Sequence, residues 1–140
     1  MLIFEPQNLT EDFSHIYSGD PALDKTGEDW QAAYDKAHET GDVKLLPLKE
    51  GEEPSVFWLR IPRGKLRRKI RDMATTMAAT MPGGYAREIV ATTLRRVDNA
   101  GLDGRKVDDE LLDLLEIAKG DLIDELAYAV MRKINTDPLS

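Results

Sequence analysis

Cysteine is absent from this chain of 140 residues. That excludes a disulfide, a thiolate nucleophile and any cysteine-based zinc site, and it fits a reducing compartment. Histidine is nearly as scarce. His15 and His38 are the only two, and neither falls in HExxH or another recognisable ligand spacing. A histidine–carboxylate metal site with Asp35 or Asp42 is the lesser reading; surface histidines on a loop and at a helix end are the expected one. Rings make up 6% of the residues, which leaves few to stack on nucleic-acid bases. No apolar run approaches the ~18 residues that span a bilayer, so no membrane association is expected. The opening MLIFEPQNLTEDF lacks the basic n-region and long apolar h-region of a signal peptide, so the chain is expected to stay where it is made.

What is present is charge, unevenly spread. From Arg60 to Asp72 the balance is +6, which leaves −13 for the remainder of a chain whose net charge is −7. By thirds, residues 1–54 carry −9, 55–96 carry +8 and 97–140 carry −6. Such segregation implies internal salt-bridging or a bipolar surface able to stack head to tail, the internal arrangement being favoured. Exposed pairs contribute only about 0–1 kcal/mol each, so the pattern bears more on specificity than on stability.

The length suits a single domain, residues 1–140, that buries roughly two-thirds of its unfolded surface. Residues 1–25 are expected as an extended arm, in which Leu2, Ile3 and Phe4 can add a strand before Pro6 breaks it. Thr26 to Asp29 resemble a capping box opening a helix over 26–42. Trp30, Ala33, Tyr34 and Ala37 line one face of that helix, and Gly41 ends it. Val43–Leu48 and Ser55–Ile61 are rich in β-formers and flank the turn KEGEEP, which predicts a β-hairpin over 43–61. The rest, 63–136, is expected to be helical. A basic helix ends at Met81-Pro-Gly-Gly84, and a second buries Tyr85, Ile89, Val90, Leu94 and Val97. A turn follows at 99–105. An acidic helix spans Asp108 to Ala118, and a last helix buries Leu122, Ile123, Leu126, Val130 and Ile134 with Asp124, Glu125 and Arg132 facing water. The predicted class is α+β: predominantly helical, four to five helices, with a small antiparallel hairpin.

Each catalytic candidate has a plainer explanation. The acids at Glu50–Glu53 sit on a hairpin tip, and those from Asp108 to Glu116 form the solvated side of a leucine-rich helix. The window from Asp98 to Asp109 has the length of a calcium loop but carries Ala100 and Leu102 where oxygen ligands belong. Pro82 to Arg87 place glycines before a helix, where N–H groups can hold an anion, but without the lysine and spacing of a P-loop. Ser14, Ser18, Ser55 and Ser140 lie in no nucleophile-elbow context. No catalytic residue, cofactor or metal is therefore expected, and an enzyme is not the predicted class.

The basic helix remains. Leu66, Ile70, Met73 and Met77 fall within about 60° of one another at 100° per residue. Arg67, Arg68 and Arg71 project away from that stripe, with Lys65 and Lys69 beside it. Together with Arg60 and Arg63 these residues form the predicted partner-binding patch: Arg60, Arg63, Lys65, Arg67, Arg68, Lys69 and Arg71. Its plain reading is a solvated face neutralised by acids elsewhere in the fold. As a docking surface it favours an acidic protein partner, because arginine's planar fork holds carboxylates bidentately. Nucleic acid is the alternative, with the helix over 63–71 on phosphates; the net negative charge and the lack of a second basic element count against it.

One ordered set of motifs points further. Gly51-Glu-Glu-Pro54 precedes Phe57-Trp-Leu-Arg60 and Pro62. A charged helix, a second helix, Gly101-Leu-Asp-Gly104, a leucine-rich acidic helix and ELAYAVM at Glu125–Met131 follow. Over residues 43–136 this arrangement resembles small tail-morphogenesis proteins of tailed bacteriophages, of the tail-assembly-chaperone or minor structural type. The resemblance implies a non-enzymatic protein acting through protein–protein contacts with other tail or virion proteins, such as tape-measure or tail-tube components, or with copies of itself. It would place the chain in the host cytoplasm during assembly, or retained in the virion.

Overall fold

The computed structural model describes residues 12–79, 85–102 and 104–136, without the side chains of residue 74 and residues 76–79. The expected strand at Leu2–Phe4, the break at Pro6, the helix end at Met81–Gly84, Asp103 of the GLDG turn, Pro138 and Ser140 lie outside the described residues, as does the side chain of Met77. Among the described residues the order is β1 (Asp12–His15), α1 (Trp30–Thr40), a 3-10 turn (Val43–Leu45), β2 (Val56–Arg60), α2 (Gly64–Ala79), α3 (Ala86–Thr93), β3 (Leu94–Asp98), α4 (Asp109–Ala118) and α5 (Leu122–Thr136). The class is α+β, as expected.

The sheet is built differently from the predicted hairpin. β2 is its middle strand, antiparallel to β1 through Phe13↔Leu59 and His15↔Phe57 and antiparallel to β3 through Phe57↔Val97. Residues 43–48 do not pair with it. Val43–Leu45 instead coil into a 3-10 turn, capped where the Asp42 carboxylate accepts from Lys44 N at 3.0 Å. Leu48 makes a lone antiparallel bridge to Leu23. β1 takes the place foreseen for residues 43–48, so residues 12–15 belong to the sheet and not to a detached arm.

β3 is the second correction. Leu94 and Val97 were expected on a continuing helix, yet α3 stops at Thr93 and the chain extends. Both side chains are buried although three positions apart, which a regular strand forbids. An irregularity opposite Trp58 and Leu59 resolves this: Trp58 pairs with Arg96 and Leu59 with Leu94, leaving Arg95 as the extra residue. Beyond β3 the chain does turn, with Asn99 and Gly101 at positive φ.

Two hydrophobic clusters result. The larger one gathers the inward residues of β2 and β3 with α2, α3, α4 and α5. α5 supplies Leu122, Ile123, Leu126, Ala127, Val130 and Ile134 to it, as its helical period predicts. Full burial of a leucine or isoleucine is worth about 1.5–3 kcal/mol, and Leu59, Ile70, Ile89, Leu126 and Ile134 are completely enclosed. The smaller cluster joins Ile16, Leu23, Tyr34, Ala37 and Leu46, with Trp30, Leu48 and Val56 against it. Trp58 sits on the opposite face of β2 from Phe57 and Leu59, its indole N–H donating to Asp98 Oδ2 at 3.0 Å under the Arg96 guanidinium.

Helix ends account for most boundaries. α1 ends at Gly41, whose φ of 74° suits a residue without Cβ. The expected capping box at its start does not form, because the Thr26 hydroxyl donates to Asp24 instead and Asp29 at the N-cap makes no side-chain bond. α4 begins as expected at Asp108, whose carboxylate accepts from Leu111 N at 2.9 Å. Its outer side differs from expectation: Leu114 is 41% and Ile117 82% exposed.

Candidate functional site

The predicted cations of α2 run round its exposed side, away from the buried Ile70 stripe. At 100° per residue, Lys65, Arg68, Lys69 and Asp72 lie toward one flank and Arg67 and Arg71 toward the other, and the two sets meet where Arg68 and Arg71 are about 60° apart. The first flank opens into a groove of about 560 Å³ lined by Lys65, Arg68, Lys69, Asp72, Met73, Tyr85 and Glu88. Arg71 is exposed on the second flank, where Arg67 is half-buried. Arg60 ends β2 opposite Asp12 in the register, and Arg63 is half-buried in the connection to α2. The Nε atoms of Arg60 and Arg67 are buried without an acceptor among the described residues.

Met73 is buried and Tyr85 half-buried, so the groove has an apolar floor beside the cationic flank of α2, with Glu88 on its α3 side. Glu88, in the first turn of α3 where the helix dipole favours an acid, holds Lys69 at 3.4 Å. Among the described residues no carboxylate is paired with Lys65, Arg68 or Arg71. The acids of the last third are engaged elsewhere. Arg87 Nη1 donates to Asp113 at 2.6 Å and to Glu116 at 3.2 Å, while its Nη2 donates to the Asp109 carbonyl. The hydrogen bond to Asp113 raises the Arg87 pKa further. Arg105 pairs with Glu110 at 3.1 Å and Arg95 with Asp12 at 3.5 Å. Internal salt-bridging thus exists, but it largely bypasses the groove.

A second polar concentration was missed by sequence reasoning. His15 and His38 are not surface histidines: their rings lie 4.8 Å apart between β1, α1 and α5, and the His15 side chain is only 12% exposed. His15 Nε2 meets Glu125 Oε2 at 2.7 Å. The same carboxylate accepts from Ser18 N at 2.9 Å and from the Ser18 hydroxyl, so Glu125 does not face water as expected. Ile16 N donates to His38 Nε2 at 3.0 Å, which places the ring proton on Nδ1, where it is donated to the Tyr34 carbonyl at 2.8 Å. The Tyr34 hydroxyl returns to the Ile16 carbonyl at 2.5 Å, and the Tyr17 hydroxyl donates to Asp121.

Burial sets the protonation states here. Desolvation holds His38 below its ordinary value, against the smaller upward effect of its bond to Tyr34. Desolvation also pushes Glu125 up, but hydrogen bonds from His15 and Ser18 together outweigh it and leave the carboxyl below the usual range. Burial raises Tyr34 as well, and the bond to Asp121 lifts Tyr17 to about 12. The adjoining cavity, between Ser14, Ile16, His38 and Leu46, measures only about 10 Å³, which leaves no room for a substrate. Among the described residues no group of three or more histidines and acids is placed to hold a metal ion, and no helix is long and apolar enough to cross a membrane. The His15–Glu125 pair spans 110 positions, so no local pattern could have announced it.

No protein-family model, curated protein or solved structure matches this chain.

Proposed function

We propose that this chain is a non-enzymatic docking protein that receives an acidic protein partner in the groove between α2 and α3. Its setting is the tail morphogenesis of a tailed bacteriophage, which the ordered motifs over residues 43–136 resemble. The observation that carries the reading is the groove itself: Lys65 and Arg68 stand over Met73 and Tyr85 with no carboxylate paired to them among the described residues. An acidic segment bearing one apolar or aromatic side chain matches both features. Its carboxylates replace the water around the cations, and the apolar group fills the floor.

Affinity purification of the tagged chain from its native lysate tests the reading, with mass spectrometry and the 260/280 nm ratio taken together. Recovery of tail or other virion proteins free of nucleic acid is expected. Reversal of Lys65 and Arg68, the two groove cations, to glutamate should abolish that recovery while the helical circular dichroism persists. Recovery of nuclease-sensitive material alone overturns the reading.

A further inference from the structure

α3 lies between a basic and an acidic neighbour, and two adjacent residues mark the division. Glu88 reaches toward α2 through Lys69, and Arg87 reaches toward α4 through Asp113 and Glu116. Outside them the exposed surface of α3 presents Ala91, a small residue. One side of this strip therefore carries Lys65 and Arg68 above an apolar floor. The other carries Asp113 and Glu116 with Ile117 on the same face of α4. Ile117, at 82% exposure, is the most exposed large hydrophobic side chain among the described residues.

We propose that the groove of one copy receives α4 of a second copy, and that the two copies are related by a two-fold axis passing near Ala91 on α3. A half-turn about such an axis lays the acidic stripe of each copy over the cationic groove of the other. Every contact then occurs twice, as a closed dimer requires. The charges are complementary in sign. The apolar parts match as well, since Ile117 supplies the knob that Met73 and Tyr85 are placed to receive. Ala91 lets the two α3 helices approach closely at the axis. The net charge of −7 opposes association only at long range; at physiological salt, screening acts beyond about 8 Å and leaves the contact pairs largely intact. This inference rests on the docking role of the groove and names its occupant.

Light scattering coupled to size exclusion reads the outcome on the full chain. The wild type should have twice the 15.7 kDa chain mass. Lys65→Glu with Arg68→Glu makes both stripes acidic, and Asp113→Lys with Glu116→Lys makes both basic, so each double variant should be monomeric. Mixed, they should restore a one-to-one dimer, because each then offers what the other lacks. Ile117→Asp should weaken the wild-type dimer by about tenfold or more. Circular dichroism checks that each variant keeps its helices, and the mixing experiment needs no single variant to lose its fold. A monomeric wild type, a dimer that survives both reversals, or assemblies that grow without limit would each overturn the proposal. A monomer that still captures an acidic partner through Arg68 would remove the dimer and leave the docking function standing.

Discussion

Around Glu125 each donor finds an acceptor inside the chain; along the groove flank of α2 the cations look outward. The first lies against Ile16 and Tyr34 of the smaller hydrophobic cluster, the second over Met73 and Tyr85 of the larger. In the first, one carboxylate takes bonds from His15 and from the amide and hydroxyl of Ser18, tying β1 and the turn after it to α5. In the second, Lys65 and Arg68 have no carboxylate paired with them among the described residues. Polar groups removed from water must be satisfied where they lie, so the first region is cement. Polar groups left in water carry no such demand, and their arrangement is free to suit a partner.

The contrast breaks most clearly at Glu125. Glu125→Ala leaves His15 and Ser18 without their acceptor, at about 1–3 kcal/mol for each orphaned buried donor. Urea unfolding should therefore show a loss of about 2–4 kcal/mol. Glu125→Gln keeps an acceptor oxygen and should lose roughly half as much. An unchanged midpoint for Glu125→Ala would mean that the cluster contributes nothing to stability.

Acid should erode the same region. The His38 pKa is depressed in the folded chain, so the unfolded state binds the extra proton first. Its contribution is present above pH 6.5, the ordinary value, and is lost as pH falls through the folded value. The slope is at most about 1.4 kcal/mol per pH unit for one proton. Glu125, also depressed, adds a second loss as pH falls below 4.5, its ordinary value, through the folded one. His38→Gln, which can still accept from Ile16 and donate to Tyr34, should flatten the first limb and spare the second. Identical profiles for wild type and variant would assign the acid sensitivity elsewhere.

Reversing the groove should barely touch stability. Lys65→Glu with Arg68→Glu alters exposed side chains, for which changes within about 0.5 kcal/mol are usual, while partner capture is lost. A destabilisation matching that of Glu125→Ala would show the groove cations to be as internal as the histidines.

Much of this could be read in advance where a period reports burial directly. α1, α4 and α5 fall close to their expected spans, and the outer flanks of α2 fall where a 3.6-residue period puts them. β2 was visible in the alternation of Phe57, Leu59 and Ile61 around Trp58 and Arg60. β3 was hidden, because the extra residue at Arg95 brings Leu94 and Val97 to one face at a spacing that mimics a helix. Residues 43–48 misled in the opposite sense: Leu46 and Leu48 serve the small cluster around Tyr34, while Val43 and Leu45 stay exposed. The candidate site divided similarly. Its cations were legible as a basic helix, but the groove depended on Tyr85 and Glu88 being brought beside them. The histidine cluster depended on a helix far along the chain.

The two tryptophans of the sequence lie in different places, Trp30 against the smaller hydrophobic cluster and Trp58 on the outer face of the central strand of the sheet. A cation rests on each ring, Lys25 at 4.9 Å and Arg96 at 4.8 Å from the centroids. The molecule thus carries two built-in fluorophores, one at the smaller cluster and one on the sheet that backs the larger. With Trp30→Phe, emission reports the sheet alone; with Trp58→Phe, it reports the packing of α1. Coincident melting curves from the pair would mean that both clusters come apart in one cooperative event, and separate curves would resolve the order in which the chain lets go.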